Sequence, residues 1–399
     1  MLELGQRMNV FIAVLLASAL SRLGYQMARS PVLPRFAEDL GATPELIGVI
    51  VAASTITGVF FKLPAGVLSD VLGRKRMMVL GALFFALPPF FYPFVNDASA
   101  LLLLRFVHGF ATAIFSPVAA AYVAGLAEQD RGARLGLFSS GNDVGATAGP
   151  MIGGLLLFYT MSYATVYLVV AALGVVTLLV VILLPEPARA DFAPSVGFAA
   201  RASAFWQGVR EIVRSPPVFI ASAIEGVMYL GYGAFLGFLP IYAKANGLND
   251  AEIAIVLGAQ LAMAMAAKPI AGRASDRFGR KPVIIGGLAL CVAALPLIFR
   301  AESFGLLVAV SMVLGLGVAA VTPVTNALIA DLVAARRLGA AMGVFGTVFD
   351  FGEAMGPILA GFLIGQFGYT PAFDVIAAAT AVAAVALVTL VRDPKPAPI

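Results

Sequence analysis

Twelve long apolar segments follow one another along the chain, and polar residues, Pro or Gly separate them. A helix rises about 1.5 Å per residue, so about 20 apolar residues cross the hydrocarbon core of a bilayer. We therefore predict an all-α membrane protein with twelve transmembrane helices. The predicted spans are residues 8–29, 46–68, 76–95, 98–126, 134–158, 162–184, 217–243, 251–274, 282–300, 303–330, 338–363 and 370–391.

Composition excludes several classes of protein. The 399 residues are 61% hydrophobic and 12% charged, whereas soluble domains are about 45–50% apolar and about 25% charged. Cys291 and His108 are the single cysteine and histidine of the sequence. A disulfide framework, a Cys/His metal site and a His-based catalytic triad are therefore not expected. The chain has no phosphate-binding loop, so we predict neither an enzyme nor a nucleotide cofactor.

The basic residues predict an orientation in the membrane. Most of the 26 Lys and Arg residues fall in loops on one side when both termini are placed in the cytoplasm, including Arg74 to Arg76 and Arg280-Lys281. Basic loops resist translocation, which sets topology. We predict a multi-pass protein of a bacterial inner membrane with cytoplasmic termini. The scattered charges argue against a nucleic-acid partner.

The two halves of the chain repeat each other. The pairs Pro34 and Pro240, Lys62 and Lys268, Gly66 and Gly272, Asp70 and Asp276, Arg74 and Arg280, and Pro117 and Pro323 are separated by 206 residues. Asp143, Gly145, Gly149 and Pro150 recur as Asp350, Gly352, Gly356 and Pro357, now at 207. We predict a six-helix bundle at 1–184, a cytoplasmic linker at 185–216 and a second bundle at 217–399. Repeats of this kind are typical of secondary transporters.

One loop motif stands at the same place in both halves. It reads Gly66-Val-Leu-Ser-Asp70-Val-Leu-Gly73-Arg74-Lys75-Arg76, and then Gly272-Arg-Ala-Ser-Asp276-Arg-Phe-Gly279-Arg280-Lys281. Glycine permits a tight turn and close helix approach. The aspartate either caps a helix or pairs with an arginine. We predict a cytoplasmic gate made by Lys62, Asp70, Arg74, Lys268, Asp276 and Arg280.

These duplicated loops resemble the signature loop of the major facilitator superfamily. The glycine run Gly145 to Gly154 in span five is similar to a motif of that family's drug/proton antiporter branch. The resemblance implies two bundles related by pseudo-two-fold symmetry and a functional monomer. The glycines favour either a hinge for outward export or ordinary tight packing, and the sequence leaves both open.

A group of polar residues predicts a substrate site. Leu101, Arg105, His108 and Gly109 are similar to the family's intramembrane arginine motif, although glutamine is more usual at the position of His108. Arg22, Gln26 and Arg29 share one helix face. We predict substrate binding by Arg22, Gln26, Arg105 and His108, with Tyr232 and Phe235 in an apolar lining. Arg105 could equally satisfy backbone carbonyls.

Buried acids predict ion coupling, since desolvation favours the neutral form of a carboxyl group and allows it to exchange a proton. The predicted proton-coupling residues are Glu225, Glu353, Asp143 and Asp350. Glu225 and Glu353 have no repeat counterpart. Asp143 and Lys268, and Lys62 and Asp350, are predicted to form bridges between the halves. Each lysine could instead extend to the membrane surface.

The leading hypothesis is proton-coupled efflux of lipophilic or amphipathic small molecules by alternating access. The partners are then the substrate, protons and the lipid bilayer. The alternative is an exporter or flippase of an organic anion or a lipid-like amphiphile, which the arginines favour. A non-transporting receptor or scaffold would need no paired gate loops. Substrate identity, coupling ion and oligomeric state are beyond the sequence.

Overall fold

A computed structural model of the chain describes residues 2–126, 131–186, 214–333 and 338–390, and six positions between 200 and 210. Most of the predicted linker, 185–216, lies outside the described residues. The described part is helical and contains no β-strand. It has thirteen α-helices, α1 to α13, and one 3-10 helix.

The first half contains seven α-helices. They are α1 Leu2–Arg29, α2 Val32–Asp39, α3 Pro44–Leu72, α4 Arg74–Ala86, α5 Ala98–Leu126, α6 Arg131–Thr160 and α7 Tyr163–Leu183. The third predicted span is not one α-helix, because α4 is followed by the 3-10 helix Pro88–Phe94. Pro88 and Pro89 have no backbone N–H, so the α-helical hydrogen bonds cannot continue there.

The second half contains six α-helices. They are α8 Pro216–Ala245, α9 Asp250–Phe278, α10 Arg280–Ile298, α11 Phe304–Leu332, α12 Leu338–Phe367 and α13 Tyr369–Leu390. Each matches one predicted span within a few residues. Asn249 begins α9 with a capping box, because its side chain accepts from the Glu252 N–H at 3.0 Å while Glu252 accepts from the Asn249 N–H at 2.9 Å.

Eleven helical segments in the described part are long and apolar enough to cross a membrane. The first of them joins α1 and α2, and another joins α4 and the 3-10 helix. The remaining predicted span is α6, which has 30 residues and is therefore about 45 Å long. Its apolar character is lowered by Ser139, Ser140, Asn142 and Asp143. The prediction of an all-α, multi-pass membrane protein is confirmed.

The chain divides into two compact units. The amino unit comprises Met1–Gly41 and Ala53–Arg201, and the carboxy unit comprises Ala42–Ala52 and Ala202–Ile399. The first turns of α3 thus group with the carboxy unit. Within that unit they pack closely on α12, since a Cβ at Gly361 would lie 3.0 Å from the Pro44 carbonyl carbon.

Close glycine contacts join α6 to α1 in the amino unit. A Cβ at Gly149 would lie 2.7 Å from the Gln26 Cβ and 2.8 Å from the Leu23 carbonyl oxygen. A Cβ at Gly153 would lie 2.8 Å from the Met27 carbonyl oxygen. The motif glycines in span five therefore form a backbone-to-backbone contact with span one.

The same contact recurs in the carboxy unit between α12 and α8. A Cβ at Gly356 would meet the Leu230 carbonyl oxygen and would lie 2.9 Å from the Ala234 nitrogen. Leu23 and Leu230 differ by 207 positions, as do Gly149 and Gly356. The duplication therefore preserves a helix–helix contact as well as the residues that make it.

Candidate functional site

The amino unit contains a buried basic and aromatic cluster centred on Arg105. Arg105 lies on α5 and is 0% exposed. Its guanidinium carbon lies 4.9 Å from the centre of the Tyr25 ring, which projects from α1. None of its three guanidinium nitrogens meets full hydrogen-bond geometry with a described residue, and the Tyr92 hydroxyl is its polar neighbour. The contacts described for this cation are therefore a cation–π contact with Tyr25 and the polar contact with Tyr92.

His108 lies one helical turn beyond Arg105 and is also completely buried. Its Nδ1 is 3.2 Å from the Tyr92 hydroxyl, and its ring meets the Tyr25 ring edge-on at 5.2 Å. The Tyr92 ring stacks on that of Tyr167 at 3.9 Å. We call Arg105, His108, Tyr25, Tyr92 and Tyr167 the arginine cluster; it draws on α5, α1, the 3-10 helix and α7.

The three tyrosines of this cluster were not among the predicted site residues. The sequence repeat could have indicated Tyr25. Tyr25 and Tyr232 are separated by 207 positions and occupy equivalent places in α1 and α8. Two members of the predicted face of α1 are more accessible than Arg105, and the third, Arg29, is buried. Arg22 and Gln26 are partly exposed, whereas the Arg29 Nη2 approaches the Thr55 hydroxyl at 3.5 Å.

The carboxy unit contains a buried acid. Glu225 lies on α8 and is 0% exposed, and neither of its carboxylate oxygens meets hydrogen-bond geometry with a described group. The hydroxyl groups of Thr322 and Thr325 on α11 are its polar neighbours. Thr322 Oγ1 is 3.2 Å from the Tyr229 hydroxyl, one turn along α8. The sequence contained one indication of these neighbours, because Thr322 and Thr325 lie in a mostly apolar helix, α11.

Aromatic side chains lie beside this acid in the same unit. The Tyr229 ring meets that of Phe349 at 3.9 Å. The Tyr232 hydroxyl donates to Gln260 Oε1 at 3.4 Å, and its ring stacks on that of Phe235 at 6.2 Å. Phe235 is completely buried, and Glu353 on α12 is 9% exposed. We call Glu225, Tyr229, Tyr232, Gln260 and Thr322 the acid cluster.

The second copy of the loop motif is held by an arginine. Arg280 Nη1 donates to Asp276 at 2.6 Å and to the Ser275 hydroxyl at 2.7 Å. Its Nε donates to Asp331, at the end of α11, at 3.1 Å. Asp276 therefore pairs with an arginine, which was one of its two predicted roles. Asp331 was not predicted.

The first copy of the motif is described only in part. Arg74 Nη1 donates to the Ala121 carbonyl oxygen of α5, and the side chain of Asp70 lies outside the described residues. The position equivalent to Asp331 is Gly125, which has no carboxylate. In both copies the turn uses a glycine with positive φ, 99° at Gly73 and 92° at Gly279, a conformation that side chains with a Cβ disfavour.

The four residues of the predicted bridges between the halves lie at equivalent places in the repeat. Lys62 and Asp143 lie in the amino unit, and Lys268 and Asp350 lie in the carboxy unit. All four side chains are partly exposed. Their pairing stays a prediction. The described residues contain no group of three or more His, Cys, Asp or Glu side chains that could hold a metal ion.

The sequence profile described as Major Facilitator Superfamily matches residues 14–249 and 221–399, which together span nearly the whole chain. The chain belongs to the major facilitator superfamily. The predicted family and fold are thereby confirmed, and the protein is a membrane transporter rather than an enzyme. In this member of the superfamily, the internal repeat is visible as two copies of the loop motif and two copies of the glycine contact.

Two relatives of this superfamily member match it over most of their length. An uncharacterised MFS-type transporter of Methanocaldococcus jannaschii is 25% identical over 349 residues, covering 85% of this chain and 87% of the relative. The quinolone resistance protein NorA of Staphylococcus aureus is 24% identical over 363 residues, covering 90% of this chain and 91% of NorA.

Solved structures of the superfamily share the fold. The nucleoside transporter NupG superimposes with a TM-score of 0.75 at 17% identity, covering 95% of this chain and 98% of NupG. A bacterial homolog of the human lysosomal transporter Spinster, in an inward-facing and occupied conformation, gives 0.80 at 15% identity and 96% coverage of both chains. A human organic anion transporter gives 0.67 at 19% identity, covering 96% of this chain and 99% of that one.

Proposed function

We propose that this transporter is a proton-coupled exporter of lipophilic or amphipathic small molecules. The observation that carries the proposal is the similarity to the quinolone resistance protein NorA over nine-tenths of both chains. We place it in a bacterial inner membrane as a monomer with both termini in the cytoplasm and with six-helix bundles at 1–184 and 217–399.

The acid cluster supports proton coupling through Glu225. A carboxylate without hydrogen bonds inside a membrane protein is strongly disfavoured relative to its neutral form. Glu225 is 0% exposed, and its polar neighbours are the neutral hydroxyl groups of Thr322 and Thr325, so the carboxyl group is expected to hold a proton while it is buried. It would release that proton when a change of conformation admits water or when a cationic substrate takes the proton's place.

A second candidate function is export of an organic anion or a lipid-like amphiphile. Arg22 and Gln26 support it, because they lie on one face of α1 and remain partly exposed. A guanidinium on an accessible helix face binds carboxylate or phosphate groups well. The two functions differ in the charge of the transported molecule, so one assay separates them.

The test is an efflux assay in cells that lack their own drug exporters. Cells with the protein are loaded with a quinolone or with a fluorescent lipophilic cation, and retention is followed with and without a protonophore. The variants are Glu225→Gln and, as a matched acid-to-amide control, Glu302→Gln, which changes an exposed loop residue.

We expect the wild type and Glu302→Gln to lower retention several-fold, and we expect Glu225→Gln or the protonophore to remove the effect. Efflux that survives the protonophore would contradict proton coupling. Efflux that survives in Glu225→Gln would contradict the assignment of the acid. If neither probe is exported while a fluorescent carboxylated amphiphile is, the second candidate function replaces the first.

A further inference from the structure

The arginine cluster contains a buried cation whose charge no acidic side chain balances. Arg105 is 0% exposed, and the polar neighbour of its guanidinium is the Tyr92 hydroxyl, which carries no charge that could balance it. The groups that act electrostatically on Tyr25, Tyr92, His108 and Tyr167 are arginine or tyrosine side chains. The described surroundings of Arg105 are therefore rich in donors and contain no carboxylate.

The neighbours of Arg105 cannot neutralise its charge. The Tyr25 ring offers a cation–π contact, but a ring carries no net negative charge. The buried Ser54 hydroxyl lies beside the Tyr25 hydroxyl and is neutral, and His108 Nε2 is buried without a described partner. A buried cation is tolerated when an anion accompanies it, because Coulomb attraction is strong where water is excluded. Water would satisfy hydrogen bonds but would leave the charge unbalanced.

We propose that Arg105 holds a monovalent anion inside the amino unit, with hydroxyl donors such as Ser54 and Tyr25 completing its shell. The bound group is either a small inorganic anion such as chloride or the carboxylate of a transported amphiphile. Both sources offer a compact, singly charged acceptor to a planar guanidinium. The second source depends on the proposed function, whereas the first does not.

The test uses the purified full-length protein in detergent and follows its thermal unfolding. Chloride or bromide is compared with gluconate at constant ionic strength. A ligand that binds only the folded state raises Tm, and we expect a rise of about 2–4 °C in halide. Arg105→Gln should lose this rise. Arg300→Gln is the matched control, because Arg300 is an exposed arginine paired with Asp374 at 2.7 Å.

Bromide can be located directly by its anomalous scattering, without any substitution in the protein. Crystals of the wild-type protein grown in bromide should show an anomalous peak within hydrogen-bond distance of the Arg105 guanidinium. Arg105→Lys keeps the positive charge and should keep the halide effect with a weaker apparent affinity. These two measurements retain their meaning if Arg105→Gln fails to fold.

A second arm separates the two sources of the anion. A quinolone with a free carboxylate is compared with its methyl ester, again by the Tm of the wild type. Stabilisation by the acid alone, with no halide effect, assigns the site to the substrate. A halide effect with an anomalous peak assigns it to an inorganic ion, even if no drug is exported. The proposal is overturned if halide does not raise the Tm and if the acid and the ester change the Tm equally.

Discussion

Arg280 and Asp331 lie 51 positions apart in the sequence and form an ion pair of 3.1 Å. With the 2.6 Å pair between Arg280 and Asp276, it ties the turn between α9 and α10 to the end of α11. The residue equivalent to Asp331 in the amino unit is Gly125, which has no carboxylate. The ion pair between Arg280 and Asp331 therefore has no counterpart at the equivalent position of the first copy.

Arg280→Gln should destabilise the carboxy unit measurably. The substitution removes two partly exposed ion pairs, each worth about 0.2–1 kcal/mol, and the bond to Ser275. We expect a fall in Tm of about 2–4 °C, whereas Asp331→Asn should cause a smaller fall. Arg273→Gln, at an exposed position near the end of α9, is the control. Equal Tm values for Arg280→Gln and Arg273→Gln would refute the role of this network.

Gly149→Ala should disrupt the contact between α6 and α1. The added methyl group would meet Gln26, Leu23 and Met27 at 2.7–3.0 Å, and overpacking of this kind costs about 1–3 kcal/mol. Gly136→Ala on the same helix is the control, because a Cβ there meets nothing within 4 Å and alanine favours a helix over glycine. Thermal unfolding and membrane yield measure both.

The outcome of that comparison also bears on the two interpretations of the glycine motif. A loss of stability in Gly149→Ala with normal transport in the remaining folded protein would favour static packing. Normal stability with lost transport would favour a moving hinge. If Gly136→Ala is as harmful as Gly149→Ala, the close contact is not what matters on this helix.

The hydrogen bond between His108 and Tyr92 predicts an unequal effect of two substitutions. His108→Leu leaves the buried Tyr92 hydroxyl without its partner, which costs about 1–3 kcal/mol. His108→Gln keeps a group that can bond to it and should cost less. In a Tyr92→Phe background the difference between Gln and Leu should shrink, since no hydroxyl remains to be satisfied. Thermal unfolding of the six proteins, including the two parents, tests this coupling.

The opposite pattern would count against the hydrogen bond. If His108→Leu and His108→Gln have equal Tm values in the presence of Tyr92, the contact at 3.2 Å contributes nothing. Transport by His108→Gln, measured in the same preparations, would then show whether the histidine itself is needed for transport.

Exchange of charges tests the predicted bridge between Asp143 and Lys268. Asp143→Lys and Lys268→Asp should each abolish transport, because each places two like charges together. The double variant should recover at least a tenth of the wild-type rate. Lys62 and Asp350 provide the symmetric experiment. If each single variant is inactive and the double variant recovers nothing, direct pairing loses its support.

Several features of the carboxy unit followed from the sequence because they repeat residues of the amino unit. The offset of 206 or 207 positions located the second loop motif, the second glycine run and the lysine and aspartate of the predicted bridges. Asp276 was expected either to cap a helix or to pair with arginine, and the structure selects the pairing. The repeat could not reveal Asp331, because its counterpart is a glycine.

The arginine cluster shows where sequence reasoning stopped. Arg105 and His108 were identified from their motif as substrate-binding residues, and that role stays a prediction; both side chains are completely buried. Tyr92 lies in a 3-10 helix that begins with two prolines, a place where α-helical periodicity does not predict which way a side chain points. Its partner His108 is on another helix, so their contact depends on how the helices pack.

The sequence by itself determined that the chain is a duplicated, all-α membrane protein with about a dozen spans. Membrane insertion depends on the summed transfer free energy of each segment, and that sum can be read residue by residue. Only the tertiary structure decided which polar groups meet and which remain buried without partners. Those outcomes depend on the rotation and close approach of packed helices, which place Arg105 over Tyr25 and leave Glu225 between α8 and α11.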